Sequence, residues 1–213
     1  MFTMPTKTFA TLKEAEAFTR LAISPGIINK HLTGQQLRLL AELEEIGAVK
    51  YSASHSLLLS VPTEQLEEVQ HKLLAVKFYI LPAGNCAVFK NCDFCDGEKM
   101  ETLPFFTALF EKLEGYSTKR RLRIGYNACA SACYNAVLDD IALIVKEDVA
   151  DIYAGAIQMG KKANAGQLLY ENIALTDVEP TLLKLIDTYN HSTYSLFSTF
   201  IANGGLDGTR SIR

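Results

Sequence analysis

Hydrophobic positions along the chain alternate between a helical and an extended rhythm, and the switches between them mark the elements. Leu12 to Leu21 reads as a short helix, opened by Thr11 and Glu14 at capping-box spacing and broken by Ser24-Pro25-Gly26. Thr33 is a good N-cap for a helix over Gly34 to Ile46. Leu37, Leu40, Leu43 and Ile46 recur there at helical spacing, and Gly47 closes it. Ala48 to Ser52 and Leu57 to Val61 read as strands. Thr63 opens another helix, with Leu66, Val69, Leu73 and Val76 on one face. Phe78 to Leu81 is a short strand ended by Pro82-Ala83-Gly84. Residues 20 to 83 therefore predict a small α/β sandwich of helix, strand, helix and strand.

The second half opens with a cysteine-rich loop over Asn85 to Gly97, followed by a helix over Thr102 to Leu113. Arg121 to Tyr126 alternates like a strand and runs directly into Asn127-Ala128-Cys129-Ala130-Ser131-Ala132-Cys133. Ile141 to Lys146 and Ala150 to Ala154 are further strands. Pro180 sits near the start of a helix reaching about Tyr189, and Tyr194 to Ala202 forms a last short one. The break at Pro82 to Asn85 divides the chain into residues 1–83 and 84–213, an α/β (α+β) organisation without low-complexity linker or internal duplication.

Composition narrows the function classes. At 213 residues the chain can bury a real core. A net charge of −3 and a pI near 5.8 argue against nucleic-acid binding, which draws on a basic excess. Met1 to Lys13 lacks the apolar run of a signal peptide, and no stretch approaches the ~20 apolar residues of a spanning helix. A cytoplasmic protein with no membrane partner is the expectation.

Five cysteines, at 86, 92, 95, 129 and 133, are an odd number, and a reducing cytosol disfavours structural disulfides. Cys92-x-x-Cys95 puts two thiols on one tight loop. Cys129-x-x-x-Cys133 puts two more one turn apart if that segment is helical. Ala128, Ala130, Ser131 and Ala132 leave room for a bulky group. Four soft thiolates select zinc or an iron–sulfur cluster, and a [4Fe–4S] cluster is the leading reading. Buried thiols acting as small hydrophobes are the bland alternative. A thioredoxin-like role for Cys92 and Cys95 is disfavoured because the preceding stretch is not a clear strand.

These residues bring a family into view. From about Ser24 to Ile212 the chain resembles one repeat of the sirohaem-containing nitrite and sulfite reductases, especially the small single-repeat members. Pro25-Gly26-Ile27, Gln35-Gln36-Leu37-Arg38-Leu39, Leu57 to Val61 and Gln65-Leu66 are similar to the family's ferredoxin-like half-domain. Arg121-Leu122-Arg123-Ile124 leading into Cys129-x-x-x-Cys133 is similar to its basic strand and second cysteine pair. Asp140-Ile141-Ala142 resembles the family's downstream Asp-Ile-Gly, and Leu196-Phe197-Ser198-Thr199-Phe200-Ile201 with Gly204-Gly205 resembles the closing helix.

The resemblance implies a ferredoxin-like half-domain followed by an iron–sulfur/sirohaem-type domain. It implies a [4Fe–4S] cluster on Cys92, Cys95, Cys129 and Cys133, with Cys133 bridging to sirohaem. The implied activity is reduction of a small inorganic anion, sulfite or nitrite, with electrons from a donor protein. Arg121 and Arg123 match the two basic residues that the family directs at the anion and the haem carboxylates, a task suited to guanidinium forks. A single repeat needs a homodimer to rebuild the two-repeat platform.

Three departures stand out. The family's first cysteine pair is separated by five residues, a gap that Cys86 and Cys92 have and Cys92 and Cys95 do not. Cys95 is preferred because Thr102 and its helix fall at the expected offset from it. The half-domain stretch Tyr51 to Ser56 lacks the family's haem-facing arginine, with His55 as the residue that could replace it. Ala128-Cys129-Ala130 stands where Gly-Cys-Pro-like residues are usual. Two rivals remain: a [4Fe–4S] electron-transfer protein without tetrapyrrole, and a zinc-stabilised binding module.

Overall fold

The computed structural model describes residues 16–28, 30–52, 56–97 and 99–205, and the chain divides into two compact units at Leu81/Pro82. The predicted capping box at Thr11 and Glu14, and His55, lie outside the described residues.

The first unit runs β1 (Phe18–Ser24), α1 (Gly34–Ile46), β2 (Ala48–Tyr51), β3 (Leu57–Pro62), α2 (Leu66–Ala75) and β4 (Tyr79–Ile80). Its sheet has the order β2-β3-β1-β4 with every neighbouring pair antiparallel, the ferredoxin-like βαββαβ arrangement. Ile23, Leu59 and Val61 of the sheet pack with Leu39, Leu40 and Leu43 of α1 and Val69 and Leu73 of α2 in one core. The capping box predicted to open a helix at Thr11 has a described counterpart at Thr33. There the Thr33 hydroxyl accepts from the Gln36 N–H, and the Gln36 side chain accepts from the Thr33 N–H. Gly47 succeeds α1 because a Cβ there would lie 1.9 Å from the Ser60 carbonyl of β3, so only glycine permits that approach.

One element differs in kind from the expectation. Phe18 to Leu21 belongs to a strand, not a helix. β1 is central, paired with β3 from Phe18↔Pro62 to Ile23↔Leu57 and with β4 at Ile23↔Ile80. Pairing on both edges outweighs the local helical pattern.

The second unit holds β5 (Ala87–Asn91), α3 (Leu103–Leu113), β6 (Leu122–Asn127), β7 (Ile141–Lys146), β8 (Val149–Ala154), β9 (Gln167–Ala174), α4 (Leu175–His191) and α5 (Phe197–Ala202). The sheet order is β5-β6-β7-β8-β9; the first three strands run parallel and the last two antiparallel. β5 and β9 are additions to the predicted elements, and α4 begins at Leu175, placing Pro180 inside it. β5 escapes the alternation test because Ala87, Val88 and Phe89 are all buried, a continuous run typical of a parallel strand covered on both faces.

Candidate iron–sulfur site

Both cysteine pairs lie beyond the carboxyl ends of neighbouring parallel strands, where α/β sheets characteristically place ligands. β5 and β6 pair from Ala87↔Leu122 to Asn91↔Tyr126, so they end level. Cys92 comes directly after β5 and extends the ladder through its N–H to the Tyr126 carbonyl, 2.9 Å. Cys129 lies two residues beyond β6. The loops also touch: the Ala128 N–H donates to Cys92 Sγ at 3.3 Å. Cys92 is buried, Cys129 intermediate, and Cys95 and Cys133 exposed.

Apolar packing anchors the first loop. Phe94, between the two cysteines, is 1% exposed, with its ring 5.8 Å from Tyr126 and 5.6 Å from Phe106. That burial is worth roughly 2–3 kcal/mol and holds Phe94 and Cys95 in left-handed conformations, φ 52° and 48°, that cost non-glycine residues energy. Tyr126 is itself fully buried; burial raises its phenol above the ordinary value, and its hydroxyl donates to the Thr102 carbonyl at 3.4 Å.

The second loop is not the helical turn that the Cys129-x-x-x-Cys133 spacing allowed. Residues 128–135 form bends and turns, with Ala132 at φ 47° and Asn135 at φ 58°. The chain here crosses back from the end of β6 to the start of the parallel strand β7, and it does so in bends, turns and a short 3-10 turn at Ala136–Leu138 rather than in an α-helix. Arg123, Gly125 and Asn127 alternate onto one face of β6, and the return segment lies against it. Asn127 Oδ1 accepts from the Ala136 N–H at 3.2 Å. A Cβ on Gly125 would meet Asp139 Oδ2 at 2.7 Å and Ala136 Cα at 2.9 Å.

Asp139, 3% exposed, accepts from the Tyr134 hydroxyl at 3.0 Å and stands 3.9 Å from Arg123 Nε. Burial pushes its carboxyl up to about 6, against the opposing pull of the Tyr134 bond and of Arg123. Burial and the Asp139 charge raise the Tyr134 phenol. Sequence reasoning passed over Tyr134 and Asp139; the usable signal was a tyrosine directly after Cys133 with two aspartates ending the segment.

Arg121 and Arg123 are not beside the cysteines. Arg123 precedes Asn127 by four residues, about 13 Å of extended strand, and Arg121 lies beyond it. The Arg123 side chain is bonded to Asp140, Nε to Oδ2 at 3.0 Å, and its backbone N–H bonds the same oxygen at 2.9 Å. Arg121 is exposed, with Nη1 donating to the Pro82 carbonyl at 2.8 Å.

The same strand geometry separates the two possible first pairs. Cys86 bridges Ser117 before β5 and Cys92 lies just after β5, so about 20 Å of strand lies between them. Cys86 is buried against the Ala83 carbonyl, burial raises its thiol, and it cannot share a site with Cys92. β5 also corrects the reading that no clear strand precedes Cys92. Beyond Cys92 the chain makes a 3-10 turn over Phe94–Gly97, and α3 begins only at Leu103, so Cys92 does not open a helix.

Among the described residues no three His, Cys, Asp or Glu side chains converge closely enough to hold one metal ion. A [4Fe–4S] cluster asks for something different, one thiolate on each of four irons. Four thiols on two touching loops, the second pair set among Ala128, Ala130 and Ala132, fit that donor set. Among the described residues no helix is long and apolar enough to cross a membrane.

No known family's sequence profile matches the chain. Cobalt-factor III methyltransferase of Priestia megaterium is 35% identical over 175 residues, covering 82% of this chain and 32% of that protein, so the chain spans about a third of that relative's length. Among solved structures, dissimilatory sulfite reductase I superposes with a TM-score of 0.67 at 13% identity, over 92% of this chain and 69% of that one. NirA of Mycobacterium tuberculosis gives 0.62 at 13% identity, over 90% and 38%. The chain has the mixed α/β fold of these reductases.

Proposed function

We propose that the chain is a [4Fe–4S]-binding redox domain of the nitrite/sulfite reductase type, with Cys92, Cys95, Cys129 and Cys133 as ligands. Residues 1–83 form its half-domain and 84–213 its cluster-bearing domain. The observation that carries this reading is the placement of both cysteine loops at the level ends of β5 and β6, joined by the Ala128 N–H to Cys92 Sγ bond. When bound, the cluster supplies single electrons. The protein's part is to hold four thiolates, to exclude water with Phe94 and Tyr126, and to present cationic groups to an anion. Arg121, exposed at the end of β6 away from the cysteine loops, is the residue for a macrocycle carboxylate rather than for an oxyanion beside the cluster. Arg123 acts through Asp140, which already engages its fork. A homodimer and a separate electron-donor protein complete the proposal.

A specific observation favours a second reading of the tetrapyrrole. The sequence relative at 35% identity is named for a cobalt factor, cobalt-factor III, rather than for sulfite or nitrite. On this reading the cluster serves a cobalt tetrapyrrole and no oxyanion is reduced. Anaerobically purified protein tests both, by visible spectrum, iron and acid-labile sulfide, then titration with sirohaem and with a cobalt tetrapyrrole. Iron, sulfide and a Soret band with sirohaem, plus sulfite or nitrite turnover, support the reductase. Spectral change only with the cobalt macrocycle supports the second reading. A sample that stays colourless after reconstitution overturns both.

A further inference from the structure

We propose that Tyr134 is the positioning residue for the second cysteine pair, acting through the buried Asp139 carboxylate. This rests on the cluster reading of the four cysteines. The Cys129–Cys133 loop, all of it among the described residues, has no buried aromatic of its own corresponding to Phe94, and its cysteines are intermediate and exposed. Its internal backbone bonds are Ala132 N–H to the Cys129 carbonyl and Asn135 N–H to the Ala132 carbonyl, neither reaching the sheet. Side-chain contacts shape the return segment: Asn127 of β6 accepts from the Ala136 N–H, and Tyr134 closes within the segment onto Asp139, whose carboxylate lies against Gly125 and 3.9 Å from Arg123 of β6.

The second begins one residue from Cys133 and ends on a carboxylate that cannot drift. Asp139 is wedged against Gly125, where even a Cβ would collide with it, and its own N–H bonds the Ala136 carbonyl at 2.8 Å. Arg123, fixed by Asp140, stands 3.9 Å from its other oxygen. A phenol donating to a fixed, buried carboxylate is a strong, directional tether. It ties the backbone beside Cys133 to a carboxylate packed against β6. Gly125, Asp139 and Tyr134 together therefore hold the loop in the form that accepts a cluster.

Tyr134→Phe removes the hydroxyl and keeps the ring; Asp139→Asn keeps an acceptor for the phenol. Full-length wild type and both variants are reconstituted anaerobically with iron and sulfide. Cluster loss to a chelator, midpoint potential and amide hydrogen exchange of the cluster-free forms are then measured. A hydrogen bond to a charged group supports a change of about tenfold or more. Tyr134→Phe is expected to lose its cluster about tenfold faster and with a shifted potential. Its amide exchange over 129–139 should rise by a similar factor and stay unchanged in β5 and α3. Asp139→Asn should fall between wild type and Tyr134→Phe, because the amide keeps an acceptor for the phenol but not its charge. Wild-type cluster loss and exchange in Tyr134→Phe would overturn the proposal, as would faster exchange spread across the whole unit. Wild type that takes up no iron and sulfide fails the cluster reading instead, a separate outcome.

Discussion

The two cysteine loops sit side by side and are held by opposite kinds of force. The first is pinned by oil: Phe94 fills an aromatic nest of Phe106 and Tyr126 and drags Cys92 and Cys95 with it. The second is pinned by charge and hydrogen bonds, through Tyr134, Asp139, Arg123 and Asn127. Hydrophobic burial is non-directional and insensitive to pH, whereas a buried carboxylate is directional and titrates. The loops should therefore fail in different ways.

The largest effect should come from Phe94→Ala. Truncating a fully buried aromatic costs about 3–5 kcal/mol, and urea unfolding of the cluster-free protein should show it at every pH. The next largest is a pH dependence belonging to the second loop. With Asp139 at about 6 when folded and an ordinary value unfolded, the folded state holds the extra proton between about pH 4 and 6. Stability is then highest below that window, falls as pH rises through about 6, and is flat above, by about 3 kcal/mol in all. Unfolding midpoints across this range should drop in wild type and flatten in Asp139→Asn. A flat wild-type profile would remove the contrast between the loops.

Gly125→Ala should be smaller, about 1–3 kcal/mol. Its Cβ presses Asp139 and Ala136 off the strand, so cluster retention should fall more than global stability. Smallest of all is Cys86→Ala. It lies at the opposite end of β5, so it should alter thermal unfolding slightly and iron content not at all.

The legibility of the molecule in its sequence divides along the same line between local and non-local forces. α1, with Thr33 at one end and Gly47 at the other, was legible because its caps and its apolar face are local signals. The cysteine pairs were legible by spacing. β1 was not, because its state is decided by strands paired on both sides of it. β5 was not, because a strand buried on both faces has no alternation to read. The likeness of Cys86 and Cys92 to the family's five-residue spacing lost its force once β5 was seen to lie between them. The Tyr134–Asp139 tether was invisible because it depends on the return of the chain across β6, at a glycine whose role only packing reveals. Arg121 and Arg123 stand out in the sequence by type, but that Arg123 bonds Asp140 and Arg121 the Pro82 carbonyl depends on how the neighbouring segments approach β6.

The most direct test of the central claim is iron and acid-labile sulfide per chain, measured on reconstituted wild type and on single Cys→Ser variants at 86, 92, 95, 129 and 133. The account predicts about four of each in wild type, as a [4Fe–4S] cluster requires, with that content kept in Cys86→Ser and lost or degraded in the other four. Wild type holding zinc without sulfide, or Cys86→Ser losing its iron while Cys95→Ser keeps it, would contradict a cluster shared between the two loops.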